Sequence, residues 1–415
     1  MSDNNIIRLP FLHDHHSHVS LYAAIQGLPD LEKFPAGDQG SASALVFLKR
    51  LPRDSLSLVT GWHTDRLPLG PAELADLPPA LIVNSSLHGF VLSPAGLPFA
   101  KELWPELALR ANDEAWIERN IGPTFSFYVR VAGFDAVKLE SFMAKMESLG
   151  IGVLDDMTIA CEEALGIIKA SRFADRIRCW ATPEVYRALS PTSRELCEGV
   201  KIFLDGSLGA KSASIDAPFL DGKKGGLLYS DGELRAMLVE IAGLKTGLSA
   251  HALGHRSIEQ ILCALEALGR EGLHLPAVRL EHLQFIGLGQ AKRCKEMGIV
   301  LSMQPNFNAD SVDYADRLIE RHLAENDPYR MLIDEARFVP GEDLVFGSDG
   351  MPHGPEFALR WSLFPAYASQ GLSSEEFAAG YRPSAKPIAD GGRVPEGEGS
   401  AFELDEKRRA IRRIG

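Results

Sequence analysis

Four histidines fall within six residues of the stretch 9–20, LPFLHDHHSHVS, at positions 13, 15, 16 and 18. The apolar lead-in, residues 9–12, predicts a short buried first strand that runs into His16-Ser17-His18. On an extended chain two imidazoles one residue apart point the same way, because strand side chains alternate faces. Such a pair is a two-toothed chelate for a divalent cation. Neutral imidazole nitrogen suits zinc, and manganese, iron or cobalt could also serve. A lone His-x-His fits a solvated loop as well, so the rest of the chain must supply the missing ligands.

Bulk properties bound what that chemistry could serve. The 415 residues, 45% of them hydrophobic, suffice for a large single barrel or for two to three average domains. A formal charge of −13 argues against binding a phosphate backbone, which needs clustered Lys and Arg, so no nucleic-acid partner is expected. The one basic run, Lys407-Arg408-Arg409 with Arg412-Arg413, reads as a solvated tail. Cys161, Cys179, Cys197, Cys263 and Cys294 are scattered without CxxC spacing, which fits reduced thiols in a cytoplasmic protein. Neither an export signal nor an apolar run long enough to span a membrane is evident, so no membrane partner is expected.

The elements that must position the histidines emerge along the chain. Residues 21–133 do not read as a strand-helix unit; LSLVTGW at 56–62 and LIVNSSLHGFVLS at 81–93 are β-like pieces of a large insertion. Insertions of this size after a barrel strand sit over the active-site mouth, where specificity resides. From Asp135 the chain becomes regular. Leu139, Phe142, Met143 and Met146 recur at helical spacing, closed by Gly150. Apolar strands are then expected at 151–154, 177–182, 200–204, 247–252, 277–285, 299–304 and 343–349, most of them separated by amphipathic helices. With residues 9–12 they make eight, the arithmetic of a TIM (β/α)8 barrel. No G-x-G-x-x-G follows the first strand to favour an open doubly wound sheet.

Polar residues interrupt or end these strands: His16 and His18 on the first, Lys201 on the fourth, His251 on the fifth, His282 on the sixth and Asp349 on the eighth. Strand C-terminal ends converge on the face of a barrel where chemistry sits. That order resembles the amidohydrolase superfamily. VKIFLDGSLGAKSA at 200–213 is similar to the "VKIFADGSLGSRTA" signature of its YtcJ-like branch, often called amidohydrolase family 3, which includes N-substituted formamide deformylases. His251-Ala252-Leu253-Gly254 resembles "HAIGD", Arg279-Leu280-Glu281-His282 resembles "RIEH", and Gly347-Ser348-Asp349 matches "GSD". Gly61-Trp62 and His88 resemble Gly-Trp and Asp-Gly-His words in the insertion.

The resemblance implies a barrel of the metal-dependent hydrolase type binding one or two divalent metals per chain, with zinc favoured. It implies a carboxylated Lys201 bridging two metals, one held by His16, His18 and Asp349, the other by His251 and His282. An unmodified ammonium beside such cations would be disfavoured. The implied reaction cleaves the C–N bond of an amide or N-formyl compound by a metal-activated hydroxide, with Asp349 as general base. His88 would bind the substrate carbonyl or stabilise its developing charge, or remain an ordinary loop histidine; Trp62 and Phe90 are further expected to shape the pocket. Cyclic amide, lactone or deaminase chemistry would use the same groups. The rival readings are a single-metal enzyme with a structural Lys201, and an inactive barrel acting as a metal-binding or regulatory protein.

Some features depart from the family pattern. Only fifteen residues precede His16, where relatives carry several dozen that build a small β-sandwich with the C-terminus. We therefore expect a barrel over 1–390 with the insertion at about 21–133, and a tail over 391–415 that is a sandwich remnant with little to pair with. Such a tail could be covered by a second subunit of a homo-oligomer. His255 stands where the family word has Asp, and Lys211 where Arg is usual. His13 and His15 are expected to face away from the ligand positions or to support the ligands.

Overall fold

Pro10 divides the amino-terminal stretch between two sheets. The computed structural model describes residues 6–414 apart from 65, 112, 385, 387 and 389–391. Strand β1 (Ile6–Pro10) ends at the proline, which has no N–H for a ladder, and β2 (Leu12–Ser17) begins two residues later. The first barrel strand is therefore β2, not residues 9–12 as the apolar pattern predicts. A strand spelled LHDHHS defeats that pattern because its polar side chains are all buried and all find hydrogen-bond partners.

The insertion follows. Its strands β3 (Ser57–Trp62), β4 (Ala80–Asn84) and β5 (Phe90–Leu92) form a separate sheet, β3–β4 parallel and β4–β5 antiparallel. The sheet has its own apolar packing on each side, including Leu81, Val83, Phe90 and Phe125 on one face and Val59, Trp62 and Ile82 on the other.

The barrel resumes after the helix Ala136–Ser148, whose Asp135 side chain caps Lys138 N and whose Leu139, Phe142, Met143 and Met146 are buried as the spacing predicts. The remaining strands are β6 (Ile151–Asp156), β7 (Ile177–Ala181), β8 (Cys197–Phe203), β9 (Gly247–Ala252), β10 (Val278–His282), β11 (Val300–Met303) and β12 (Leu344–Phe346). With β2 they form an eight-stranded parallel sheet in sequence order, as the barrel expectation requires. Between β12 and β2 closure comes from the strand ends. Asp349 N donates to His16 O at 2.7 Å. Asp14 Oδ1 accepts from Ser348 N at 2.8 Å and Oδ2 accepts from its hydroxyl. Gly347 permits the approach: a Cβ there would lie 2.4 Å from His16 N.

The barrel interior carries charge. Arg279 on β10 donates to Asp155 on β6 at 2.6 Å, and these strands are not sheet neighbours, so the bond crosses the inside. His13 joins Asp155 at 2.8 Å, and Arg279 also holds Glu281 at 2.6 Å while lying over the Trp180 ring. A buried Arg with two carboxylates is tolerable because each charge is met by an opposite one.

The tail does find a partner. β13 (Glu398–Asp405) pairs antiparallel with β1 on one side and with β14 (Ala410–Arg413) on the other. The expectation of a tail with little to pair with is corrected: Ile6–Pro10 supplies the strand, and the sandwich is reduced to three strands rather than missing. That pairing removes the reason for invoking a second subunit. Among the described residues no helix is long and apolar enough to cross a membrane.

Candidate metal centre and active site

The strand ends of β2, β8, β9, β10 and β12 bring His16, His18, Lys201, His251, His282 and Asp349 to one end of the barrel. Three of these offer ligand atoms that lie within 4.8 Å of one another: His16, His282 and Asp349. His18 Nε2 is 3.3 Å from Asp349 Oδ1, and His16 Nε2 is 3.7 Å from the same oxygen. The His251 ring centre is 4.3 Å from that of His282, which is 4.7 Å from that of His16. His282 and Asp349 both hold positive φ, 72° and 54°, a backbone strain that the surrounding bonds must hold in place.

Each imidazole is gripped from behind. His16 Nδ1 meets Glu281 Oε2 at 2.7 Å, His18 Nδ1 meets Thr158 Oγ1 at 2.7 Å, and His282 Nδ1 meets Gln304 Oε1 at 2.8 Å. For all three the opposite nitrogen, Nε2, remains for the centre. His251 is turned the other way: its Nε2 donates to Gly206 O at 3.1 Å, leaving Nδ1. Asp205 supports this strand end by accepting from Leu253 N, Gly254 N and Ser214. Fixing the far nitrogen selects the tautomer whose lone pair faces a cation.

Electrostatics favour the same use. Burial, with positive neighbours, holds His16, His251 and His282 below the ordinary histidine value, so they are neutral and have lone pairs to give. Asp349 is half-buried, which opposes its charge, yet the imidazoles around it, His16 and His18 foremost, hold it well below the usual carboxylate range by polar contact. Burial brings Lys201 down to about 8, against the pull of Glu281. Its Nζ is fully buried and has no hydrogen-bond partner, the condition that buried polar groups avoid. An orphaned amine within a cluster of gripped imidazoles fits a missing anionic modification and cations, and the donor set of nitrogen and carboxylate oxygen suits zinc-like metals.

Among the described residues, two other His/Asp groups lack this fit. Asp155, beside His13 and His15, already receives Arg279, and Asp216, beside His255 and His322, already receives Arg321 at 2.7 Å. His13 and His15 stack with ring centres 3.7 Å apart, His13 on Asp155 and His15 on Arg382 O. A guanidinium occupies the place a cation would need.

A cavity of about 250 Å³ opens over the centre. Its wall includes His88, Phe125, Phe203, Phe307, Asp310 and Tyr314. His88 reaches it from the insertion, with Nδ1 3.2 Å from Glu118 Oε2. Burial alone would lower His88, but the Glu118 carboxylate raises it above its ordinary value. Trp62 is not brought to this wall. Its indole is buried in the insertion's own packing and donates to Leu67 O at 2.8 Å. Phe90 likewise packs inside the insertion, against Tyr128.

Residues 139–355, just over half of the chain, match the model of the amidohydrolase family. The chain belongs to that family. The match covers Lys201, His251, His282 and Asp349, while His16, His18 and His88 lie outside it. Similar curated proteins support the YtcJ-like branch. The putative amidohydrolase YtcJ of Bacillus subtilis (strain 168) is 30% identical over 146 residues, 34% of this chain and 27% of its own length. The N-substituted formamide deformylase of Arthrobacter pascens is 34% identical over 127 residues, 30% of this chain and 23% of its own. Protein LONG AFTER FAR-RED 3 of Arabidopsis thaliana is 31% identical over 136 residues, 32% of this chain and 23% of its own. The matches thus span about a quarter of the length of these relatives. Among solved structures, an uncharacterized metal-dependent hydrolase from Pyrococcus horikoshii OT3 aligns with a TM-score of 0.65 at 20% identity, over 91% of this chain and 80% of its own. One from Pyrococcus furiosus aligns at 0.64 and 19%, over 94% and 85%. These share the fold of this chain.

The motifs carried more of the site than the strand pattern did. Glu281 and Asp205 lie within the family words, although only the structure shows what they hold. Glu118, Thr158 and Gln304 carried no sequence signal, since a single polar residue on a helix or strand end has nothing to distinguish it.

Proposed function

We propose that this amidohydrolase-family protein is a metal-dependent hydrolase of small amides or N-formyl compounds, cleaving a C–N bond. The observation that carries the reading is the orphaned, fully buried Lys201 Nζ within a ring of imidazoles whose far nitrogens are hydrogen-bonded. His16, His18 and Asp349 would hold one divalent metal and His251 and His282 a second, with a carboxylated Lys201 between them; zinc is our preferred metal. When bound, such a metal supplies Lewis acidity and lets water ionise near neutral pH. The chain's own groups do the rest. Asp349, ionised at neutral pH, takes the proton of the attacking water at Oδ1 or Oδ2 and gives it to the leaving nitrogen. His88, its charge favoured by Glu118, donates from Nε2 to the carbonyl oxygen as that oxygen gains charge. Phe125, Phe203 and Phe307 exclude water and take the apolar part of the substrate.

The pocket's charge narrows the substrate. Its wall contains Asp310 and Asp313 and, among the described residues, no Lys or Arg, so away from the centre a substrate carboxylate or phosphate would find no guanidinium or ammonium partner. We infer an uncharged or cationic small molecule. The five cysteines, free in the structure, support a reducing compartment and hence the cytoplasm. We take the chain as a barrel with an insertion over its mouth and a reduced C-terminal sheet.

The test is metal content per chain for wild type and Lys201→Ala, with turnover of a panel of neutral amides and formamides. About two metals falling to one or none, together with turnover lost in the variant, is the expected result. No metal in either protein overturns the hydrolase reading in favour of an inactive binding barrel.

A further inference from the structure

The insertion sends His88 to the pocket wall, backed by a carboxylate whose two oxygens are both committed. Glu118, on the helix Glu114–Arg119, is buried. Its Oε1 accepts from the Ser212 hydroxyl at 2.5 Å, and its Oε2 lies 3.2 Å from His88 Nδ1. Ser212 belongs to the loop after β8, and its Oγ accepts in turn from Ser207 N at 3.1 Å. His88 itself sits in the β4–β5 turn, where Leu87 is held at φ 61°. A non-glycine residue in that region is strained and persists only where its surroundings over-determine it. Asn84 Oδ1 pins the turn by accepting from Gly89 N at 3.0 Å, and the Phe125 ring stands edge-on to His88 at 6.0 Å. What the strained turn delivers is the imidazole.

We propose that Glu118 is a positioning residue: by accepting the Nδ1 proton of His88 it fixes the ring with Nε2 turned to the substrate oxygen. This inference rests on the hydrolase reading above. Without the carboxylate the ring could rotate and exchange tautomers, so the donor would be in place only part of the time. With it, Ser212 ties the ring to the loop that leaves β8, the strand carrying Lys201. A donor and the centre it serves are thus held in one frame although they come from separate sheets. Preorganisation of this kind is what makes an oxyanion donor effective.

Glu118→Ala, Glu118→Gln, His88→Ala and the double variant Glu118→Ala/His88→Ala test it in the metal-loaded, full-length protein, with N-benzylformamide as probe. We expect Glu118→Ala to lower kcat by about 100-fold, with KM within about threefold and metal content unchanged. The double variant should be no slower than His88→Ala, because residues acting as a unit are not additive. Glu118→Gln, whose amide oxygen can accept the same proton, should recover most of the rate. Nitrogen-15 spectra of the His88 ring give a readout without turnover: Nδ1 carries a proton in wild type, and tautomers exchange in Glu118→Ala. Wild-type kcat in Glu118→Ala, losses that add to those of His88→Ala, or an unprotonated Nδ1 in wild type each overturn the assignment. If wild type hydrolyses no amide or formamide, the hydrolase reading fails, and the ring spectra still decide whether Glu118 positions His88.

Discussion

Replacing Glu281 with Gln changes one atom and tests whether the grip behind the imidazoles governs the metal. Glu281 Oε2 accepts from His16 Nδ1 at 2.7 Å, while Oε1 accepts from Arg279 Nε and from the Ser249 hydroxyl, each at 2.6 Å. A carboxylate can face donors on both sides; an amide cannot. If the new amide's oxygen faces Arg279, its NH2 meets His16 and drives the ring to the tautomer whose Nε2 carries the proton, removing the lone pair. If the oxygen faces His16, the NH2 points at the Arg279 N–H. Either arrangement weakens the site. Losing the partner behind a metal-ligating histidine costs about 10–100-fold in affinity, or about 1.4–2.7 kcal/mol. Dialysis of wild type and Glu281→Gln against graded chelator, with metal content read by plasma mass spectrometry, should shift the half-loss point by that factor. Identical loss curves for two folded proteins would refute the claim that Glu281 sets the His16 tautomer.

Three further outcomes are expected. With Lys201 near pKa about 8, its amine is mostly charged at pH 6 and about half neutral at pH 8, so at a fixed concentration of dissolved carbon dioxide, reloading of the metal-free protein should be markedly faster at pH 8, and Lys201→Ala should show no such dependence. Trp62→Ala should destabilise the protein by about 3–5 kcal/mol, as truncation of a buried Trp does, while leaving KM within about twofold, since the indole packs in the insertion and not on the pocket. Burial raises Asp310 from 3.8 to about 7, against the Gln284 hydrogen bond. The folded state therefore holds that proton more tightly, and the associated stability is present below about pH 4 and lost as pH rises through 7. Asp310→Asn should abolish that decline in Tm between pH 4.5 and 8, and parallel curves for the two proteins would count against it.

Apolar strands alternating with amphipathic helices made the barrel legible over residues 151–349, because there each strand buries both faces and each helix buries one. The same logic failed at β2. Its six residues are buried although all but Leu12 are polar, since the barrel interior supplies Asp155, Glu281 and Arg279 as partners, and none of that is visible locally. Pro10 was the available signal for a boundary between two sheets. The tail failed for a related reason: β13 pairs with a strand about 390 residues away, and pairing at that separation leaves no local pattern.

For the site, the candidate ligand residues that converge at one end of the barrel were legible because metal chemistry admits few residue types, and the family words recorded their order. The supporting groups were not, because a hydrogen bond to an imidazole accepts many partners. Here those partners are Glu281, Thr158, Gln304 and the backbone of Gly206. Trp62 shows the converse error. It lies in a word shared with the family, yet Gly61, at φ 72° and crowded by Asp30 and Glu32, accounts for much of that word by shaping a turn in the insertion. A shared motif marks a constraint, and only the position of the side chain tells whether the constraint is chemical or structural. By that criterion the structure puts His88 on the pocket wall, at a strained turn, where the role proposed for it is a chemical one, and it puts the Trp62 indole in the packing of the insertion.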